Sequence, residues 1–303
     1  NVTVTESPLW LQNRLKSIGL KPVNNIVDIT NFVLKEYGQP LHAFDADEII
    51  GKEVIVKTLP ENTAFVCLDN KELKLSAEDL MICNEKEGMC IAGVFGGAKS
   101  GVKETTKTIF LESAYFNSIS VRKTSTRHKL QTDAASRYEK GADPALTIEA
   151  LKRAASLICE LANGEIISDI QDFYPETIED FKVSLRYSRL NSICGTDIPE
   201  ATVKQILKDL EIEVLEENGD TLNLAVPQYR ADVQREIDVI EEVLRIYGFN
   251  NIETPKIVHS TLSFTQGIDV NILKNTISDN LTGLGFSEMM TNSISKSTFY
   301  SEK

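Results

Sequence analysis

Residues 53–113 read EVIVKTLPENTAFVCLDNKELKLSAEDLMICNEKEGMCIAGVFGGAKSGVKETTKTIFLES, and this stretch decides the fold. Short β-branched and apolar runs, EVIVKTL, AFVCL, KELKL, DLMIC, MCIAGVF and TIFLES, are separated by Asp-Asn, Glu-Gly and Gly-Gly pairs that suit tight turns. The pattern predicts a mixed or antiparallel sheet.

On the N-terminal side, Ser7-Pro8 offers a cap and first helical residue for a short helix. Leu11, Leu15 and Ile18 share one of its faces, and Gly19 stops it. A second helix is expected from Asp28 to Tyr37, ending at Gly38, which leaves His42 on a loop or strand edge. On the C-terminal side, Asp143-Pro144 opens a helix whose Ile148, Leu151, Ala155 and Ile158 keep helical spacing up to Asn163-Gly164. The class is α+β: a mixed or antiparallel sheet with packed helices, followed by a small α+β domain. Residues 174–177 read as a linker, and from Lys182 the pattern restarts as strand, helix, hairpin, helix. Pro199 starts a helix through Leu210, a hairpin turns at Asn218-Gly219, and Asp232 begins a helix reaching Tyr247. A third pattern starts after Pro255. The expected domains are 1–175, 176–255 and 256–303.

Composition bounds the function. The 303 residues carry 32 basic and 45 acidic side chains, a net charge of −13, with 42% hydrophobic residues, which excludes disorder as the main state. No run approaches the ~18 apolar residues of a membrane span, and NVTVTESPLW lacks the order of a secretion signal, so a cytoplasmic setting without membrane contact is expected. Cys67, Cys83, Cys90, Cys159 and Cys194 show no C-x-x-C spacing and signal neither a disulfide framework nor a zinc site. The start at Asn1 and the polar end SKSTFYSEK suggest a piece of something longer.

Three constellations carry candidate chemistry. In DVQREIDVIEEVLRIYGF, Val233, Ile237, Ile240, Leu244 and Tyr247 are spaced as one buried stripe, and Asp238, Glu241 and Glu242 fall within roughly a 100° arc on its flank. Such oxygen-rich clusters suit magnesium, although spacing alone fits a solvated acidic face with Asp232 as a plain N-cap more simply. The glycine cluster AGVFGGAKSG at 92–101 lacks phosphate-loop spacing. It reads as a tight turn, or as a place where a ligand approaches bare backbone. Residues 122–141 hold six basic side chains (Arg122, Lys123, Arg127, Lys129, Arg137, Lys140) against Asp133 and Glu139, a local reversal that attracts phosphate or marks an ordinary charged helix. No G-x-S-x-G motif supports a serine nucleophile.

In their order, SPLWLQNRLKSIGLKPVNNIVDITNFVLKEYGQPLHAFD, AGVFGGAKSGV, IFLESAYF, RHKLQTDAASRYEKGADP and VPQYRADVQREIDVIEEVLRIYGFNNI closely resemble the bacterial phenylalanyl-tRNA synthetase beta-subunit family over nearly the whole chain. The resemblance implies a tRNA-editing domain to about Pro175, its first strand truncated. It then implies a small α+β domain often compared with DNA-binding modules, and after Pro255 the start of an inactive catalytic-like domain. An editing pocket would hold His42 as its catalytic residue, with Lys21, Thr30, Pro40, Gly96, Glu112, Thr132 and Ala134 binding substrate. Lys21 stands where the family often has arginine and offers a point charge instead of a planar fork. Magnesium shared with an alpha subunit would be bound by Asp232, Asp238, Glu241 and Glu242. The implied partners are that alpha subunit, in a heterotetramer of two alpha and two beta chains, and tRNA(Phe); ATP would serve the complete enzyme only.

The implied activity is hydrolysis of tyrosine mischarged onto tRNA(Phe), alongside support of the alpha subunit in ligation. An apolar phenylalanine pocket rejects an added hydroxyl by only ~10²-fold, so a second site that reads the phenol removes the error. Glu112, at the end of TIFLES, would accept the phenol O–H as a carboxylate, and His42 would orient or partly deprotonate the attacking water. The competing expectation is a non-catalytic module that binds nucleic acid and scaffolds the alpha subunit, its pocket vestigial.

Overall fold

The expected helix ahead of the sheet runs from Leu9 to Ser17 (α1), after Pro8, because the Ser7 hydroxyl donates to Asp28 Oδ2 at 2.5 Å instead of capping the helix. Leu11, Gln12 and Leu15 face inward while Ile18 lies exposed beyond the last turn. Helix α2 (Asn25–Tyr37) is capped by Asn24, which accepts from the Val27 amide, and is closed by Gly38 at φ 77°, a left-handed conformation that suits glycine. The computed structural model, which describes residues 1–254, 257, 260–261 and 267–299, then places His42 on a strand, β1 (Leu41–Asp45).

The apolar runs of 53–113 form β2 (Ile55–Thr58), β3 (Ala64–Val66), β4 (Glu72–Lys74), β5 (Leu80–Cys83), β6 (Gly88–Ile91), β7 (Phe95–Gly96) and β8 (Ile109–Ser113). Strands β2, β5, β6 and β7 make one sheet in that order, β3 pairs with β4, and β8 returns to pair with β1. Every pairing among the described residues is antiparallel.

Helices α3 (Ser118–His128), α4 (Asp133–Lys140) and α5 (Thr147–Leu161) follow. The 3₁₀ turn Pro144–Leu146 precedes α5, which packs Ala150, Ala154, Leu157 and Ile158 against residues of α1 and α2 and leaves Leu151 and Ala155 half-buried. Two apolar clusters support this part of the chain. One joins Phe44, Phe65, Met81, Ile91, Phe116 and Tyr138 under the sheet; the other joins Leu11, Leu15, Ile26, Ile29 and Val33 to the inner face of α5.

A third cluster unites β9 (Phe181–Arg186), α6 (Tyr187–Cys194), α7 (Glu200–Asp209), β10 (Glu213–Asn218), β11 (Thr221–Val226) and α8 (Glu236–Tyr247), with strand order β10-β11-β9. Helix α8 starts four residues later than the sequence suggests. The Asp238 carboxylate accepts from the backbone amides of Gln234 and Arg235, so the chain turns into the helix at Arg235, and Asp232 stands before it. Of the expected stripe Val233 and Ile240 are buried and Leu244 and Tyr247 pack against the core, joined by buried Val239 and Val243, while Ile237 is 44% exposed.

The chain divides into two compact units, Asn1–Glu253 and Thr254–Lys303. In the second, Asp269 caps α9 (Val270–Gly283), whose Ile272, Leu273 and Ile277 are exposed. Pro255, where the third sequence pattern begins, and His259 lie outside the described residues. Among the described residues no helix is long and apolar enough to cross a membrane.

Candidate active site

Strand pairing brings two of the sequence-predicted residues together. In the β1–β8 register His42 is directly opposite Glu112, so both side chains share one face of the ribbon. His42 packs edge-on against Phe44, two residues along the same face, with ring centroids 4.4 Å apart. Its Nε2 is buried without a hydrogen-bond partner, and burial pulls the imidazole down to about pKa 4. Glu112 Oε2 is likewise buried and unpartnered, and burial pushes the carboxyl up to about 8. Both groups are therefore neutral near pH 7. His42 is thus a half-buried residue of a two-stranded ribbon, and burial keeps the Glu112 carboxyl protonated near neutrality, where a carboxylate was expected.

Gly96 supplies a third wall. A Cβ at this position would lie 2.7 Å from Leu68 Cδ1 and 2.9 Å from His42 Cε1, so the imidazole rests against bare backbone. At Gly97 a Cβ would meet the Met89 carbonyl oxygen at 2.5 Å, which makes that glycine a packing requirement. Thr132 caps α4 by accepting from the Ala135 amide and donates to the Val94 carbonyl at 2.9 Å, tying α4 to the turn just before β7, the strand that carries Gly96.

Pro40 is buried at the entrance to β1, and its carbonyl accepts from Gln39 Nε2 at 3.0 Å. Ala134 is half-buried in the first turn of α4. The Thr30 hydroxyl donates to the Val27 carbonyl within α2, and Lys21 is exposed between α1 and α2. Among the described residues no hydrogen bond or ion pair links Thr30, Lys21 or Ala134 to His42 or Glu112.

Two residues of this site were missed by sequence reasoning. Gln39, only 1% exposed, donates through Nε2 to the carbonyls of Pro40 and Ala114, at 3.0 and 2.7 Å, and lies 3.5 Å from the Tyr138 hydroxyl. Its Oε1 has no partner. The Tyr138 hydroxyl donates to the same Ala114 carbonyl at 2.8 Å. Burial, with Glu112 nearby, raises Tyr138 well above the usual tyrosine range. A polar residue between a helix-ending glycine and a proline was the one available signal for Gln39.

The basic segment is partly consumed internally. Arg127 pairs with Glu78 and with fully buried Asp79, each at 2.5 Å, and His128 Nε2 is 2.6 Å from the second Asp79 oxygen. Burial opposes charge on Asp79, but hydrogen bonds from His128, the Ser76 amide and Thr124 outweigh it and hold the carboxyl below its usual range. Lys35 takes Asp133 at 2.5 Å. The segment therefore anchors α3 to the turn before β5, while Arg122, Lys123, Lys129, Arg137 and Lys140 stay exposed.

The B3/4 domain family matches residues 1–163, and the tRNA synthetase B5 domain family matches residues 183–249. The chain is 52% identical over 300 residues to the phenylalanine–tRNA ligase beta subunit of Bacteroides fragilis, covering 99% of this chain and 37% of that one. The chain belongs to the B3/4 domain family. The beta subunits of Bacteroides thetaiotaomicron and Bacillus subtilis are 53% and 43% identical over 99% and 97% of the chain, which spans 37% and 36% of their lengths. A crystal structure of an N-terminal fragment of the phenylalanyl-tRNA synthetase beta subunit from Pyrococcus horikoshii overlaps 80% of this chain and 69% of that one at 13% identity and a TM-score of 0.38, too distant a likeness to bear on the fold.

Within this B3/4–B5 chain the acidic helix does not offer magnesium an open donor set. Asp238 binds the Arg235 guanidinium, and Glu242 is held by Arg230 and Arg245 at 3.1 and 2.7 Å. These arginines keep both carboxyls below their usual range. Asp232 precedes the helix, exposed, which leaves Glu241 as the exposed carboxylate on α8 itself. Among the described residues no group of three or more His, Cys, Asp or Glu side chains is arranged to hold a metal. Arginines thus neutralise two of the three carboxylates that share this flank of the helix.

Proposed function

We propose that this chain carries an ester-hydrolysing editing site that removes tyrosine mischarged onto tRNA(Phe). The reading is carried by one observation: the β1–β8 register that sets His42 opposite Glu112, with Gly96 against the imidazole and both facing polar atoms unpartnered. Buried polar atoms without partners are rare in folded proteins, and sites that bind polar ligands are where they persist. Hydrolysis needs a positioned water, stabilisation of the developing oxyanion and a departing ribose oxygen. Neutral His42 accepts a hydrogen bond from water through Nε2; with a pKa near 4 it orients the water far more than it deprotonates it. The backbone at Gly96, against which the His42 ring rests, borders the reacting group in this reading. Lys21, Thr30, Pro40, Thr132 and Ala134 complete the proposed pocket.

We place residues 1–175 as the editing domain, 176–255 as the B5-type domain and 256–303 as the start of a catalytic-like domain, in a cytoplasmic ligase with an alpha subunit. Amino-acid activation with ATP, and any magnesium bound with the help of Asp232, Asp238, Glu241 and Glu242, belong to that complete assembly.

The test is deacylation of tyrosyl-tRNA(Phe) and phenylalanyl-tRNA(Phe) by this chain. Hydrolysis of the tyrosyl ester in preference to the phenylalanyl ester, reduced 10²- to 10⁴-fold in His42→Ala, is the expected result. A folded chain that leaves tyrosyl-tRNA(Phe) intact, or a His42→Ala variant as fast as the parent, overturns the reading.

A further inference from the structure

A cleft of about 340 Å³ lies where the part matched by the B3/4 family meets the part matched by the B5 family, within the compact unit Asn1–Glu253. Small-molecule sites span about 300–1,000 Å³ and favour such junctions. The tail of α4, with Glu139 and Lys140, makes one wall. The turn between β11 and α8, with Gln228 and Ala231, makes another, and Ile178 and Phe181 at the entry to β9 add apolar surface. Gly141 lets the walls approach. At φ 94° it ends α4 without a side chain, where a Cβ would lie 2.7 Å from the Ala231 methyl.

The charges beside this cleft are not used by the fold. Asp133 at the head of α4 is held by Lys35, whereas the Glu139 and Lys140 side chains at its tail make no hydrogen bond or ion pair among the described residues. Consecutive helical residues project about 100° apart, so the two do not neutralise each other. Gln228 donates through Nε2 to the Ile178 carbonyl, which fixes its amide and leaves Oε1 buried without a partner. The cleft therefore offers a carboxylate and a lone acceptor, an ammonium, and an apolar surface. We propose that it binds a small zwitterion with an apolar body, the chemistry of a free aliphatic amino acid. The ligand's ammonium meets Glu139, with N–H groups to match Gln228 Oε1, and its carboxylate meets Lys140. The site is separate from the His42–Glu112 pair: α4, roughly 12 Å long, carries Thr132 at the end nearer that pair and the cleft at the other. It stands independently of the editing reading.

Titration of the whole chain with L-norleucine, L-norleucinamide and hexanoate, read by ligand-observed NMR, tests the idea. L-Norleucine carries both charges, the amide lacks the carboxylate, and hexanoate lacks the ammonium. The wild type should bind L-norleucine most tightly of the three. Glu139→Gln should weaken L-norleucine about 3- to 10-fold, the range of a charge-assisted hydrogen bond discounted for solvent, and leave hexanoate within about 2-fold. Lys140→Gln should weaken L-norleucine about 2- to 5-fold and narrow its advantage over the amide. Neither side chain has a partner in the fold, so both variants should melt with the parent. Equal binding of the three probes by the wild type, no binding of L-norleucine, or an unchanged affinity in Glu139→Gln overturns the proposal. If Glu139→Gln fails to fold, the wild-type ranking of the probes decides alone. His42→Ala should bind L-norleucine as the wild type does; loss of binding there would put the ligand beside the His42–Glu112 pair and overturn the proposal too.

Discussion

Replacing Glu112 by glutamine separates the burial of this carboxyl from everything else in the protein. The native carboxyl titrates at about 8 and the unfolded one at 4.5, so between those values the native state holds a proton that the unfolded chain has lost. Stability contributed by this group is therefore present below pH 4.5 and falls as pH rises through about 8. The slope is about 1.4 kcal/mol per pH unit, which accumulates to roughly 3 kcal/mol by pH 7 and roughly 4 kcal/mol by pH 8. Glutamine has nearly the shape of the neutral acid and does not titrate. The variant should exceed the parent by about 1 kcal/mol at pH 5 and increasingly at higher pH, by an amount approaching those figures. His42 works in the opposite sense: with its pKa lowered from 6.5 to about 4, its contribution is lost as pH falls through that window. Taking the difference between parent and Glu112→Gln cancels His42 and all other groups. Urea unfolding of both proteins at pH 5, 6, 7 and 8 measures it. A difference that does not change with pH, or one in which the parent gains on the variant as pH rises, would refute the claim that Glu112 is buried as a neutral acid.

Three further outcomes follow from the packing. Gly96→Ala should abolish ester hydrolysis while lowering stability by only about 1 kcal/mol, since exposed Leu68 can swing away but His42 is pushed; Gly97→Ala, aimed at a backbone oxygen, should cost more than about 2 kcal/mol, and thermal melts beside the deacylation assay distinguish them. Asp79→Asn leaves Arg127 and His128 without their buried carboxylate and should destabilise by roughly 3 kcal/mol in urea at pH 7. On α8, Glu242→Gln should cost about 1.5 kcal/mol through its two arginines, whereas Glu241→Gln should stay within about 0.5 kcal/mol, and magnesium alone should leave the Tm of the chain unmoved.

Local chemistry made much of the fold legible. The turn pairs and β-branched runs of 53–113 mark strands because a strand needs only a few residues of period 2 and a tight turn, both written locally. Gly38, Asn218-Gly219 and the order of elements after Lys182 were readable for the same reason. The inward face of a helix was less so: α5 buries Ala150, Ala154 and Leu157 in place of Leu151 and Ala155, and α8 adds Val239 and Val243 to the expected stripe, because the elements a helix packs against choose which face turns inward.

The amino-acid sequence by itself determined which residue types are available for the site, through the family pattern that carries His42, Gly96 and Glu112. Only the tertiary structure decided what those residues are. Pairing β1 with β8 across more than sixty residues is a long-range contact that no local pattern encodes, and it sets His42 opposite Glu112. Burial then makes both neutral, since taking a charge out of water is unfavourable without a partner. On the acidic helix the outcome is the reverse: two of the carboxylates that spacing gathers for a cation are neutralised, Asp238 by Arg235 and Glu242 by Arg245, each three residues away, and Glu242 also by Arg230 from the turn before the helix.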